Sequence, residues 1–459
     1  MKRNNIFAKL ILAVLALAII LSSCSLAGSL EELRPRRYTP SYMFPLTVYN
    51  LEELEEFLPN AIGGFDENNP GLVFIKFDLG TMTDSSSNWQ KMLKIIDESG
   101  KYIELNLAEC EMTGTTFNLV PSVKLGKDKI VSIELPSSAT NIPPANSNPQ
   151  YNYNSAFRYF TNLKDVKGSN INEIGSYAFF NIKSLSSIHF PVKKIGDNAF
   201  GGCIDLGYIE GLDLPDVTNI GAFAFESSGI YSINLPVVKN IGKQAFDNCT
   251  RLHRITINHE VNMEWGNPFT GCTSLNEFNL VLGGDGEKIK VLSTSNGLYK
   301  GEITEAELIC FPAGDGVVDF YSFPEIIKKI GTGAFMGNNK ITKFSSDSVI
   351  EVGDYAFSNC TSLTEVDFLS VETIGDFAFQ FTGDQELTIY MDTTPPDLGL
   401  SMFDGVDVVK NVTVKVPSGH KSAYSDEWQK GFKGAGWNGS SMVDESLVNT
   451  KITLTIDIY

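Results

Sequence analysis

Ile195-Gly-Asp-Asn-Ala-Phe200-Gly-Gly-Cys203-Ile-Asp-Leu206 and Ile241-Gly-Lys-Gln-Ala-Phe246-Asp-Asn-Cys249-Thr-Arg-Leu252 are two copies of one string. Full or near-full copies of its core, Ile-Gly-x-x-Ala-Phe, begin at Ile174, Ile195, Ile220, Ile241, Ile330, Val352 and Ile374, and degenerate copies end at Phe157, Phe269 and Phe403. Within an uninterrupted run the closing phenylalanines fall 21 to 25 residues apart. A unit of about 22 residues is too short to enclose a core alone, so each copy must bury its apolar side against the next, and the product is a solenoid.

Downstream of each phenylalanine the pattern runs Cys-x-x-Leu-x-x-Ile-x-Leu-Pro. The short apolar runs Ile188-His189-Phe190, Ile233-Asn234-Leu235, Ile255-Thr256-Ile257 and Val366-Asp367-Phe368 alternate with period two, which is the signature of a strand. Strands from successive copies point the same way and stack as a parallel sheet, apolar members inward. Pro191, Pro215 and Pro236 lack the N–H that would continue the ladder and mark each strand's end.

The unit Cys-x-x-Leu-x-x-Ile-x-Leu-Pro followed by Ile-Gly-x-x-Ala-Phe resembles the BspA-like, treponemal class of leucine-rich repeat, over roughly residues 130 to 403. Asn296-Gly-Leu-Tyr299 with Leu308-Ile-Cys-Phe-Pro312 resembles the hairpin insert of that class, and Val412-Thr-Val-Lys-Val-Pro-Ser418 resembles its tail. The resemblance implies a fold between α/β and mainly β: a leucine-rich repeat solenoid, a parallel β-sheet horseshoe with atypical N- and C-terminal caps. It implies adhesion to host matrix proteins or other cells, and it brings no catalytic residues and no cofactor.

The N-terminus reads as an address. Lys2 and Arg3 precede the apolar stretch Ile6 to Leu21, and Leu21-Ser-Ser-Cys24 follows. Basic, then apolar, then small is a secretory signal. The cysteine resembles that of a lipobox, which implies cleavage before Cys24 and acylation of its sulfur; the alternatives are an ordinary signal with an incidental cysteine and an uncleaved anchor. The organisation expected is a leader over 1–23, a Pro-punctuated tether over 24–45, an N-terminal cap over 46–129, repeats over 130–403 with the insert at about 281–324, and a C-terminal cap over 404–459. A small separate β module competes for the last segment. In the N-terminal cap, Leu51 to Leu58 and Trp89 to Ile96 have helical spacing, and Val73 to Leu79 and Tyr102 to Leu107 alternate like strands.

Loss of Lys2, Arg3 and Lys9 with the leader carries the formal charge from −19 to −22. That disfavours nucleic acid and adsorption to anionic lipid, leaving acyl chains as the expected membrane attachment. Of the six cysteines after Cys24, four (Cys203, Cys249, Cys272, Cys360) lie three residues after a motif phenylalanine. There Asn338, Ser228 and Ile182 stand in other copies, so buried thiols are expected. One disulfide stays open between the neighbouring Cys249 and Cys272, and Cys110 and Cys310 are unassigned.

Enzyme chemistry finds little support. The histidines, His189, His253, His259 and His420, show no metal spacing, and a zinc set of Cys249, His253 and His259 conflicts with an inward Cys249. Asp66-Glu-Asn-Asn69 reads as a solvated loop rather than a calcium site, lacking the ligand pattern of one. The Ile-Gly pairs are read as serving the repeat turn.

Function is therefore expected on the outward sheet face. Alternation places Ser132, Glu134, Ser187, His189, Tyr208, Glu210, Ser232, Asn234, Arg254, Thr256, Glu277, Asn279, Glu365 and Asp367 there. With strands about 4.8 Å apart the stripe runs on the order of 50 Å, enough for a protein or glycan partner. The leading expectation is a lipid-anchored adhesin on the cell surface, at the outer membrane; the alternative is a periplasmic envelope scaffold.

Overall fold

The computed structural model describes residues 42–119, 124–145, 155–263, 266–281, 289–291, 297–301, 305–314, 319–320, 324–380, 382, 386–403, 410–435 and 452–459. The leader, Cys24, most of the tether and Asn296 lie outside these residues.

Each turn of the chain lays one strand in a wide parallel sheet and one two-residue strand in a narrow second sheet. In the wide sheet the register is one repeat per step: Ser232 faces Arg254, which faces Glu277, and Ile233 faces Ile255, which faces Phe278. Farther on, Lys343, Glu365 and Thr388 align in the same way. The narrow sheet comes from the isoleucine of the motif itself, Ile174 beside Ile195 beside Ile220 beside Ile241. Both sheets turn their apolar residues inward, and the polypeptide between them is the Gly-x-x-Ala-Phe arc.

The wide sheet begins before the repeats. Leu46–Val48, Gly71–Ile75 and Ile103–Asn106 pair in parallel and lead into Ile130–Glu134. Parallel neighbours need crossovers. Two of them are the amphipathic helices Leu51–Asn60 and Asn88–Ser99, whose first turns are capped by the Asn50 and Ser87 side chains. At the other end, Lys410–Val416 and Ile452–Ile458 pair in register as further parallel strands. Trp428 and Phe432 are buried, and the Phe432 ring lies 5.3 Å from Phe403. These C-terminal elements continue the repeat sheet and its core. No helix among the described residues is long and apolar enough to cross a membrane.

The motif phenylalanines form two stacked runs. Ring centroids of Phe179, Phe200, Phe225, Phe246 and Phe269 follow at 5.2, 5.3, 5.3 and 5.4 Å with nearly parallel planes. Phe335, Phe357, Phe379 and Phe403 repeat the arrangement at 4.9, 5.6 and 5.5 Å. The insert is accommodated at the side: Leu298–Lys300 and Ala306–Cys310 form an antiparallel hairpin whose second strand joins the narrow sheet beside Ile327–Ile330. Phe311 then stacks on Phe335 at 5.1 Å.

The glycine of the motif has a different cause from the turn geometry expected of it. Gly196, Gly221, Gly242, Gly353 and Gly375 do not adopt positive φ. Instead a Cβ on Gly221 would stand 2.6 Å from the Asp197 backbone nitrogen, and one on Gly375 2.6 Å from that of Asp354. Close approach of consecutive arcs excludes a side chain. The repeat cysteines are likewise tied to their neighbours: Cys203, Cys249, Cys272 and Cys360 donate to the carbonyls of Phe179, Phe225, Phe246 and Phe335 at 3.1, 2.9, 3.1 and 3.1 Å. All six described cysteines are buried free thiols, Cys249 and Cys272 included. Burial pushes the Cys203 and Cys360 thiols well above their ordinary pKa, which suits a packing role over a nucleophilic one.

Candidate functional site

The outward positions of the wide sheet line up as cross-strand rungs. Asn234 donates to Asp213 at 2.8 Å, Arg254 lies 3.8 Å from Glu277, and Lys343 lies 3.4 Å from Glu365. Ser345 donates to Asp367 at 3.2 Å. Ser132, Glu134, Ser187, Ser232, Asn234, Thr256, Glu277, Glu365 and Asp367 are half-buried, and His189, Arg254 and Asn279 are exposed. Twelve of the fourteen positions read from alternation thus stand on strands and face outward. Burial, the Ser345 hydrogen bond and nearby Asp347 act on the Asp367 carboxyl, with burial largest and the net effect an increase in pKa. Asp165, Lys167, Lys343 and Ser345 belong to the same face; Asp165 and Lys167 follow the degenerate copy that ends at Phe157, and Lys343 and Ser345 flank Phe344, where most other repeats carry Ile or Val.

Tyr208 and Glu210 are the exceptions. Tyr-Ile-Glu alternates like a strand, yet the strand of this repeat is Leu212–Asp213, with Leu212 facing Ile233 and Asp213 facing Asn234. Relative to Cys249-Thr-Arg-Leu252 and its strand, this repeat carries three additional residues, which accounts for the 25-residue spacing between Phe200 and Phe225. They are looped out as Gly207-Tyr-Ile-Glu-Gly211. The glycines at both ends have φ of +63° and +78°, and the Gly211 N–H closes the loop on the Gly207 carbonyl at 3.2 Å. Ile209 is 84 % exposed and Tyr208 46 %.

This loop interrupts the wide sheet. Ser187–His189 ends one hydrogen-bonded run of strands and Leu212–Asp213 begins the next. Behind the interruption the turns stay in step, Gly207 donating to Ser186 at 3.0 Å and Lys194 pairing with Asn219. The outcome is a cleft of about 600 Å³ on the outward face, floored by Ser187, His189 and Asp213 and walled by Tyr208, Ile209 and Glu210. Such a volume is within the range of about 300–1,000 Å³ usual for ligand sites. The Arg251 guanidinium lies 3.5 Å from the Tyr208 ring centroid and holds one side of the wall.

The polar groups at this end of the face do not form a nucleophile. Ser187 donates to Asp165 at 2.6 Å, and His189 Nε2 also meets Asp165, at 3.2 Å. The serine is therefore bonded to the carboxylate and not to the imidazole, whereas activation of a hydroxyl requires the base to take its proton. No group of His, Cys, Asp and Glu among the described residues is arranged to hold a metal ion. Cys249 donates inward to Phe225, and His259 shares a hydrogen bond of 2.9 Å with the Val281 carbonyl. The Asp66 carboxylate accepts from the Asn68 and Asn69 backbone at 2.9 and 3.0 Å, closing its own loop.

The chain belongs to the family of the BspA type leucine-rich repeat region, whose model matches residues 127–207, 172–289 and 317–423 in six copies. No curated protein matches it. Among solved structures it is similar to a leucine-rich cell surface protein from Faecalibacterium prausnitzii, at 19 % identity and a TM-score of 0.48, over 76 % of this chain and 83 % of that one. It is also similar to a leucine-rich repeat protein from Bacteroides ovatus, at 18 % identity and a TM-score of 0.40, over 77 % of this chain and 80 % of that one.

Proposed function

We propose that this leucine-rich repeat protein is an exported, lipid-anchored adhesin that binds a protein or glycan partner through the outward face of its wide sheet. The observation that carries the reading is the cleft in that face: a loop closed on itself between two left-handed glycines lifts Tyr208 and Ile209 beside the polar rungs. Exposed aromatic and arginine side chains concentrate binding energy because they combine contact area with hydrogen-bonding groups. The leader and Cys24 support export and anchoring. The test has two parts. Protease added to intact cells must remove the domain, and labelled palmitate must enter the wild type and be absent from Cys24→Ser. A domain that survives protease on intact cells supports the periplasmic scaffold instead, and unchanged labelling in Cys24→Ser refutes the anchor.

A further inference from the structure

The hydrogen-bonding balance of the cleft is one-sided. Its serine donors are directed into the protein: Ser184 donates to the Leu163 carbonyl at 2.8 Å, Ser186 to the Lys164 carbonyl at 2.8 Å, and Ser187 to Asp165 at 2.6 Å. His189 Nε2 is held by Asp165 at 3.2 Å. The Lys164 ammonium reaches away to the Glu67 carbonyl at 2.9 Å and Asn68 Oδ1 at 3.1 Å. Beside the exposed Tyr208 hydroxyl, what remains turned toward the cleft is acceptors. Asp205 and Glu210 are exposed and pair with no cation among the described residues, and Asp213 receives one N–H, from Asn234, on one of its oxygens. The serine oxygens keep lone pairs after donating their protons.

A ligand for such a surface must bring more donors than acceptors. An anion would face the carboxylates of Asp205, Glu210 and Asp213. A saccharide, whose hydroxyls both donate and accept, would leave its own oxygens to water. A cation is satisfied by acceptors alone, and a hydrogen bond to a charged group is stronger than one between neutral groups. Ile209 and the free side of Tyr208 form an apolar wall beside those acceptors, which suits a side chain carrying its charge at the end of a methylene stem.

We infer that the cleft between Ser187–His189 and Leu212–Asp213 receives a lysine or arginine side chain presented by a protein partner, an inference that rests on the outward face being the binding surface. Among the described residues the loop Gly207–Gly211 stands in one repeat, and it fixes where along the solenoid a basic segment docks.

The experiment uses the mature chain and dye-labelled pentapeptides, blocked at both ends, with a central Lys, Arg or norleucine, and maltotetraose as a neutral saccharide competitor. Norleucine keeps the stem and removes the ammonium. The Lys and Arg peptides should bind, with affinity at least about tenfold above the norleucine peptide and falling as salt rises from about 0.05 M to about 0.5 M. Asp205→Asn combined with Glu210→Gln, both exposed and isosteric, should weaken them by about tenfold or more with the melting temperature unchanged. Equal binding of the norleucine peptide, displacement by maltotetraose, an unchanged affinity in the double variant, or no binding of either cationic peptide overturns the inference. If a captured partner is lost with Arg254→Ala plus Asn234→Ala and kept with Asp205→Asn plus Glu210→Gln, the face is the binding surface and the cleft is not its receptacle.

Discussion

Truncating Phe246 to Ala removes a ring that is fully buried and lies between Phe225 at 5.3 Å and Phe269 at 5.4 Å. Loss of a buried phenylalanine costs about 3–5 kcal/mol, combining transfer and cavity terms. Each parallel ring contact adds about 0.5–1.5 kcal/mol beyond burial, so the cost should sit at the upper end, about 5 kcal/mol. Because contacts in a solenoid join nearest neighbours, the loss should be local and reduce the coupling of the repeats on either side. Denaturant unfolding followed by far-ultraviolet circular dichroism should show a broadened transition beginning at lower denaturant. Hydrogen exchange should accelerate first in Ser232–Leu235 and Arg254–Asn258. Asn234→Ala, on the outward face, should cost under about 0.5 kcal/mol and leave the transition sharp. Equal small effects at Phe246 and Asn234 would refute the assignment of inside and outside.

Two buried charges give pH-dependent stability of opposite sign. Burial, reinforced by Glu226, raises the Asp247 pKa from 3.8 to about 6, so the folded state holds a proton that the unfolded chain has released between those values. Its stabilising share is full below pH 3.8 and is lost as pH rises through 6; Asp247→Asn, which keeps an acceptor for Asn248, should stabilise the protein at pH 7 by on the order of 1–3 kcal/mol. Thermal melts of the two forms should converge near pH 4. Burial lowers the Lys127 pKa from 10.5 to about 8 while its ammonium donates to the Leu119 carbonyl at 2.7 Å. The unfolded chain then binds more protons between those values, so stability should rise with pH from 8 to 10.5, and the rise should disappear in Lys127→Met when unfolding is followed across that range.

The sequence made the repeat and its inside legible because burial imposes a strict pattern: Ile233, Ile255 and Val366 point inward on every strand, and a phenylalanine closes every arc. The outward partners followed from the same alternation. Tyr208 and Glu210 were misplaced because Tyr-Ile-Glu has the period of a strand, and only the 25-residue spacing around Phe200 and Phe225 signals three additional residues there. Gly207 and Gly211, both with positive φ, bracket them and close the loop. The narrow sheet escaped because two residues, such as Lys194–Ile195, cannot display a period. The reason for Gly221 and Gly375 was hidden because it lies in the preceding arc, some twenty residues away in sequence and in contact only after stacking. The direction of the cleft's donors is a tertiary property as well, set by carbonyls of the preceding repeat.

The central claim is that the outward sheet face, and not the arc side, engages the partner. It is tested by capturing protein and glycan from host matrix and bacterial surface extracts on three forms of the mature chain. Tyr208→Ala combined with Arg254→Ala should abolish most of the capture with melting nearly unchanged, while Lys243→Ala combined with Gln244→Ala, on the arc, should capture as the wild type does. Capture that persists in the face variant and fails in the arc variant would contradict the account.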